Sequence, residues 1–201
     1  MIRRNPRGDL PQVSETAFVD PTAILCGPVI VEDDVFIGPY AVIRADETDD
    51  AGHIHPIRIG AGSNIQDGVV IHSKSGAAVV IGRRTSIAHR SIIHGPCVVG
   101  DEVFVGFNSV LFNCTVGDGA VIRHNAVVEG CHLPPGFHVP STTAIHADSE
   151  LAAIAQVTVD ATAFSEDVAR TNVGLALAYR RIRNDTGEPL KGLAVSPLAG
   201  R

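Results

Sequence analysis

Ile81-Gly-Arg-Arg-Thr-Ser-Ile87-Ala-His-Arg-Ser-Ile-Ile93-His-Gly-Pro-Cys-Val-Val99-Gly-Asp-Glu-Val-Phe-Val105-Gly-Phe-Asn-Ser-Val-Leu111 sets an aliphatic residue at every sixth position, six times in succession. The same step runs upstream through Val19, Leu25, Val31, Ile37 and Ile43, and then through Ile59, Ile65 and Ile71. Downstream it slips by one residue to Val116, Ile122 and Val128, and again to Leu133, Val139 and Ile145. Four places after most marks stands a small or short residue, such as Ala41, Ser63, Ser91 or Ser109, and a glycine often follows the mark directly, as at Gly38, Gly60, Gly82 and Gly100. A sustained period of this kind signals stacked repeats. Each unit reads as a short strand plus a tight corner, with the marked aliphatic inside and the small residue letting the chain turn. Three units close one triangular coil of about 18 residues, and coils stack at the strand spacing of ~4.8 Å. The spacing predicts a β fold, a single-stranded parallel β-helix of about seven triangular coils, followed by a C-terminal α-helix. A β-sandwich would alternate apolar and polar residues between turns every 8–12 positions or so, and would not hold this phase.

Composition agrees. The chain of 201 residues has no Trp, 2 Tyr and 7 Phe, so its core must be built from small aliphatics, as a narrow prism requires. Gly (20) and Pro (12) argue against an all-helical fold. The net charge of −6 disfavours binding to nucleic acid or to an anionic membrane, and no apolar run is long enough to span a bilayer. The N-terminus has arginines but no secretory apolar stretch, and Cys26, Cys97, Cys114 and Cys131 are scattered without a C-x-x-C pair. Both features fit reduced, partly buried thiols in the cytoplasm.

The repeat divides the chain into a β-helix domain at 15–147, a helical segment at 148–185 that packs on it, and a mobile Gly/Pro-rich tail at 186–201. Loops interrupt the coils at Thr48–Arg58, with Asp49, Asp50, His53 and His55, and around Ser75–Ala78. Ala147–Ala155 reads as a short helix. Phe164, Val168, Leu175, Tyr179 and Ile182 form the apolar stripe of a helix of about 20 residues.

The same arithmetic sorts the histidines. With Ile59, Ile65 and Ile71 opening sides A, B and C of one coil, His72 and His94 each follow a side-C mark in successive coils. They point outward one above the other, and two such imidazoles can converge on one tetrahedral metal at ~2.0–2.1 Å. His89 lies two places after Ile87, on side B, which one prism cannot bring to side C. A threefold assembly can, so the constellation predicts a homotrimer with metal sites shared between subunits. Arg44 stands in the column of His72 and His94, Asp46 and Glu47 lie at the corner after it, Gln66 follows Ile65, and Asp67 lies directly below His89. Carboxylate, amide and guanidinium groups around imidazoles are what a metal–water site needs in its surroundings. His53 and His55 read as a solvated loop, and His124, His132, His138 and His146 show no convergent partners.

Arg44-Ala-Asp46-Glu47, Asn64-Ile-Gln66-Asp67-Gly-Val-Val-Ile-His72, Ile87-Ala-His89 and Ile93-His94-Gly95-Pro96 resemble the γ-class carbonic anhydrases. Gly106-Phe-Asn-Ser, Pro134-Pro-Gly, Val139-Pro140 and Asn172 continue the resemblance over about residues 15–182. It implies a left-handed coil and a homotrimer with an ion at each interface. His72 and His94 of one subunit and His89 of a neighbour would hold Zn2+, with Fe2+ or Co2+ as substitutes. Gln66 would hydrogen-bond the metal-bound hydroxide, Arg44 and Asp46 would form an intersubunit ion pair, and Asn64, Asp67 and Asn172 would line or support the pocket. Glu47 matches an active-site glutamate. The implied reaction is reversible hydration of CO2 to bicarbonate. Ser73-Lys-Ser-Gly-Ala-Ala departs from the family's acidic loop with its proton-carrying glutamate, which leaves Glu47 as first candidate for that transfer and His53 or His55 as the alternative. Two other functions share the repeat: a hexapeptide acyltransferase with one histidine base and a coenzyme-A cleft, and a non-catalytic trimeric scaffold that keeps the metal as a staple.

Overall fold

In a computed structural model, which describes residues 1–154 and 159–186, the marked aliphatics all turn inward. From Val19 to Ile145 every one is buried, Val19 being the most exposed at 4%. Parallel strands of mostly two or three residues stack them in register, so that Ile43, Ile71, Ile93, Leu111, Val128 and Ile145 form one continuous column. The architecture is a left-handed parallel β-helix of about seven turns with a C-terminal helix.

The three sides are not equivalent. Side B, from Phe18–Val19 to His138–Val139, is a separate seven-stranded sheet. Sides A and C merge into one 13-stranded sheet, because Ile92–Val99 and Val110–Val116 run on across the corner between them. The one-residue slip of the repeat is absorbed there: His94 pairs with Phe112 and Cys97 with Cys114, leaving Gly95 and Pro96 opposite Asn113 alone. Two further strand segments, Ile2–Arg3 and Gln12–Val13, precede the first mark and pair with Leu25–Cys26 and Ile30–Val31.

The small corner residues do more than save space. Ser63 Oγ donates to the carbonyl of Gly82 (2.7 Å), Ser91 Oγ to Gly106 (2.8 Å) and Ser109 Oγ to Arg123 (2.8 Å). Each buried hydroxyl thus satisfies itself on the next coil and ties two coils together. The glycine after the mark answers a closer approach. A Cβ on Gly60 would stand 2.7 Å from the carbonyl carbon of Gly82, nearer than real contacts allow.

Beyond Ile145 the coil ends under a 3-10 helix, Asp148–Ala153. Leu151 and Ile154 pack onto the end of the core, while Asp148 Oδ1 accepts the backbone N–H of His132 (2.6 Å) and Glu150 Oε2 that of His146 (3.0 Å).

The C-terminal helix, Val159–Thr186, has 28 residues, longer than the apolar stripe suggested. It lies along side B, touching that sheet from Phe18–Val19 to Val121–Ile122. Val168 packs on Ala88, Phe104 and Val121; Ala176 is buried with Phe18 and Phe36; Tyr179 stacks on Phe18 at 4.7 Å. The expected stripe is corrected here. Leu175 and Ile182 are exposed, and the edge that meets side B runs Val168, Asn172, Ala176 and Tyr179, of which Ala176 is buried, Val168 and Asn172 are half-buried, and Tyr179 is exposed but lays its ring on Phe18. Steps of four and three stay on one face, whereas successive steps of seven, which lead from Val168 to Leu175 and Ile182, fall back by ~20° each. The side chain of Phe164 and the tail from 187 onward lie outside the described residues. Among the described residues no helix is long and apolar enough to cross a membrane.

Candidate metal centre

On side C, His72 and His94 are direct register partners, with Arg44 one coil below. His72 is 9% exposed. Its Nδ1 faces Nε2 of His94 at 3.3 Å, the rings meeting edge to face. The outer nitrogens are engaged elsewhere. His72 Nε2 lies 3.3 Å from Asp46 Oδ1 and 3.5 Å from Glu47 Oε1, and His94 Nδ1 lies 3.1 Å from the Gly95 carbonyl. Neutral imidazole carries one N–H, so the tautomers that satisfy Asp46 and Gly95 leave a bare lone pair on each inner nitrogen. Two acceptors then face each other at close range. A tetrahedral ion with Zn–N bonds of ~2.0–2.1 Å separates its ligand nitrogens by ~3.3–3.4 Å. The pair therefore fits one edge of such a site, with Asp46–His72 as the carboxylate–histidine unit that typically orients a ligand. The resemblance implied an intersubunit Arg44–Asp46 pair; within one chain the Arg44 guanidinium already meets the other oxygen of Asp46 at 2.5 Å.

The loop carrying Glu47 is held by its own bonds. Glu47 Oε2 accepts the N–H of Ser75 (3.2 Å), and the Glu47 carbonyl accepts that of Gly76. The two interruptions of the repeat thus pack against each other beside His72. His53 belongs to this scaffolding. Its backbone N–H donates to Asp49 Oδ1 (2.7 Å), which holds the Asp49 carboxyl below its ordinary range.

On side B, His89 is half exposed, 3.7 Å from Asp67 Oδ2. Gln66 and Asn64 are buried beside it. Gln66 Nε2 donates to Asn64 Oδ1 (2.9 Å), and Asn64 Nδ2 donates to Ser86 Oγ (2.7 Å), so both amides are fixed in orientation. A cleft of about 220 Å³ opens here between the sheet and the C-terminal helix, lined by Gln66, His89, Phe104, Phe107, Val168 and Asn172 among others. Asn172 holds its place by donating to the Val168 carbonyl at 2.9 Å.

One chain therefore brings together Arg44, Asp46, Glu47, His72 and His94 on side C, and Asn64, Gln66, Asp67, His89 and Asn172 on side B. It does not bring His89 to the other two histidines. Among the described residues no three His, Cys, Asp or Glu side chains gather into a metal cage within one chain. Sequence reasoning missed Phe107, although its signal was present. Phe107 follows Val105 by two places, as His89 follows Ile87, and so stacks above it, with ring centres 5.4 Å apart. His124, next in the column, stacks on the far face of Phe107 at 4.4 Å and accepts its backbone N–H (3.0 Å). Burial, helped by Arg123, holds His124 below the usual imidazole range. His132 and His146 instead meet carboxylates, Asp148 and Glu129.

Residues 78–113 match the model of the bacterial transferase hexapeptide family (six repeats). Over 198 residues the chain is 33% identical to a carbonic anhydrase of Methanosarcina thermophila, covering 88% of this chain and 77% of that protein. The chain belongs to the γ-class carbonic anhydrase family. It is also 35% identical over 178 residues to the carboxysome assembly protein CcmM of a Nostoc strain, covering 84% of this chain but 31% of that longer protein. Among solved structures, this γ-class chain resembles a hexapeptide transferase family protein of Anaplasma phagocytophilum, with a TM-score of 0.61, 26% identity, and coverage of 89% of this chain and 98% of that one.

Proposed function

We propose that the protein is a carbonic anhydrase that interconverts CO2 and bicarbonate at an ion shared between side C of one subunit and side B of the next in a cytoplasmic homotrimer. The observation that carries this reading is the approach of His72 Nδ1 to His94 Nε2 at 3.3 Å, with both outer nitrogens beside acceptors, an arrangement that leaves the inner pair free for an ion when each outer nitrogen carries the proton. The relative from Methanosarcina, a carbonic anhydrase that the chain matches over 77% of its length, supports it. His72 and His94 would hold the ion with His89 of a neighbouring copy, and Zn2+ or Fe2+ suits three neutral nitrogens. When bound, the ion would supply Lewis acidity that brings the pKa of a coordinated water from 15.7 to about 7.

The chain's own groups account for the rest. Gln66, its amide N–H2 committed to Asn64, turns its Oε1 into an acceptor that aligns the O–H of the attacking group. Phe104, Phe107 and Val168 give the cleft an apolar wall suited to CO2, which has no net dipole and needs no charged partner. Glu47 touches His72 yet is half exposed, so its carboxylate takes the released proton and passes it to solvent. Asp46 and Arg44 hold the His72 ring in place.

Protein purified without oxygen and reconstituted with Zn2+ or Fe2+ is expected to bind one metal per chain and to hydrate CO2 in a stopped-flow assay. A metal-free monomer, or acetyl-CoA turnover without metal, would sink the reading. The likeness to CcmM, a carboxysome assembly protein, favours a second reading, a metal-stapled trimeric scaffold. A metal-loaded trimer that leaves CO2 untouched would decide for that one.

A further inference from the structure

Cys97, Cys114 and Cys131 stand at one position of three successive coils. They continue an inward column begun by Val29, Ile57 and Val79, all buried, with Val29–Ile57, Ile57–Val79, Val79–Cys97 and Cys97–Cys114 in register. Packing asks that column only for compact apolar side chains, which valine and isoleucine supply in the earlier coils. What they do not supply is a contact between sulfurs. Cys97 Sγ and Cys114 Sγ are 3.7 Å apart and buried at 1% and 5% exposure. Register partners on neighbouring parallel strands are separated by ~4.8 Å, within the 4.4–6.8 Å that a disulfide spans between Cα atoms. Of the other two thiols, Cys26 donates to the Arg4 carbonyl on a lower coil, and that of Cys131, one coil above Cys114, is pushed up by burial and by the nearby Cys114.

We propose that Cys97 and Cys114 are an oxidation site, a dithiol that hydrogen peroxide converts into a disulfide joining two coils. One sulfur, as thiolate, attacks a peroxide oxygen; the O–O bond breaks, the leaving oxygen departs as water, and that sulfur becomes a sulfenic acid. The second sulfur attacks it, displaces a second water and forms the S–S bond. In total two thiols give up two electrons and two protons, and one hydrogen peroxide becomes two waters. The contact with Cys97, and then burial, raise the Cys114 thiol well above its ordinary range, so oxidation is slow and needs excess peroxide. The bond would clamp the strand that leaves His94, three residues before Cys97.

The test uses the whole protein in native buffer with excess hydrogen peroxide, followed by thiol titration in denaturant and peptide mass spectrometry. The 4 free thiols are expected to fall to two. The intact mass should drop by two hydrogen atoms, and a reducible Cys97–Cys114 peptide pair should appear. Cys97→Val and Cys114→Val, which place in the column a residue it already uses, should each abolish that pair while circular dichroism stays unchanged. Cys131→Ala should leave it intact. Retention of all four thiols in the folded protein, a link to Cys131 or Cys26 in its place, or added oxygen on Cys114 without a link would overturn the assignment.

Discussion

Side C and side B each carry half of the proposed centre, and they are built differently. On side C the two histidines are shielded, and each is fixed by a second contact, His72 on Asp46 and His94 on Gly95. On side B the amides Asn64 and Gln66 are locked, but His89 stands half exposed, with a long contact to Asp67 and the ring of Phe107 above it. The rigid half presents two nitrogens at a set separation, while the other presents one that is free to adjust. A site divided between subunits benefits from this asymmetry. Preorganised ligands define the geometry, and the adaptable one accommodates small errors in docking.

The strongest way to break the comparison is to remove a fixed ligand. His72→Ala or His94→Ala should abolish metal binding, measured on the purified protein, and reduce CO2 hydration to the level of metal-free protein. Retained metal would show that side C is not the anchor. Next comes complementation. His72→Ala and His89→Ala are each expected to be inactive. When the two are unfolded together and reassembled in equal amounts, each interface has a half chance of an intact side C and a half chance of an intact side B. About one quarter of the wild-type activity should then return; no recovery would mean that His89 does not serve a neighbour. A smaller effect is expected from Asp46→Asn, which keeps the shape and removes the charge behind His72. Metal affinity should weaken ~10–100-fold by competition with a chelator, with the fold unchanged. The smallest effect sharpens the view of side B. Gln66→Ala strips the buried Asn64 oxygen of its donor and should lower stability by ~1–3 kcal/mol in a urea titration while leaving metal affinity within severalfold.

The coil was legible because a prism interior accepts only one kind of residue at one phase, and Ile81 to Leu111 keeps that phase without a break. The stacking of Arg44, His72 and His94 followed from counting, and the strand register agrees. Phe107 was open to the same count. What counting could not reach lies where the period lapses. Asp46 and Glu47 leave the repeat and turn back onto His72 through a loop whose path depends on contacts with Ser75 and Gly76. Ring orientation was equally hidden, since a column assigns a side chain to a face but not a nitrogen to a partner. The helix face was misjudged for a related reason. Apolar residues in the sequence mark what the helix offers, whereas Phe18, Phe36 and Phe104 on side B decide which edge is taken, and they chose Ala176 over Leu175.

A solenoid has no natural length. Its last coil exposes N–H and carbonyl groups that another chain's first coil could extend, and repeated addition would make a fibre. The short turn at Asp148–Ala153 closes that route, since Asp148 and Glu150 occupy donors that an incoming strand would need, and Leu151 and Ile154 cover the apolar rim. A few residues with no part in the proposed chemistry thereby cap the stack, and leave its flanks, not its tip, open to the proposed contact between copies.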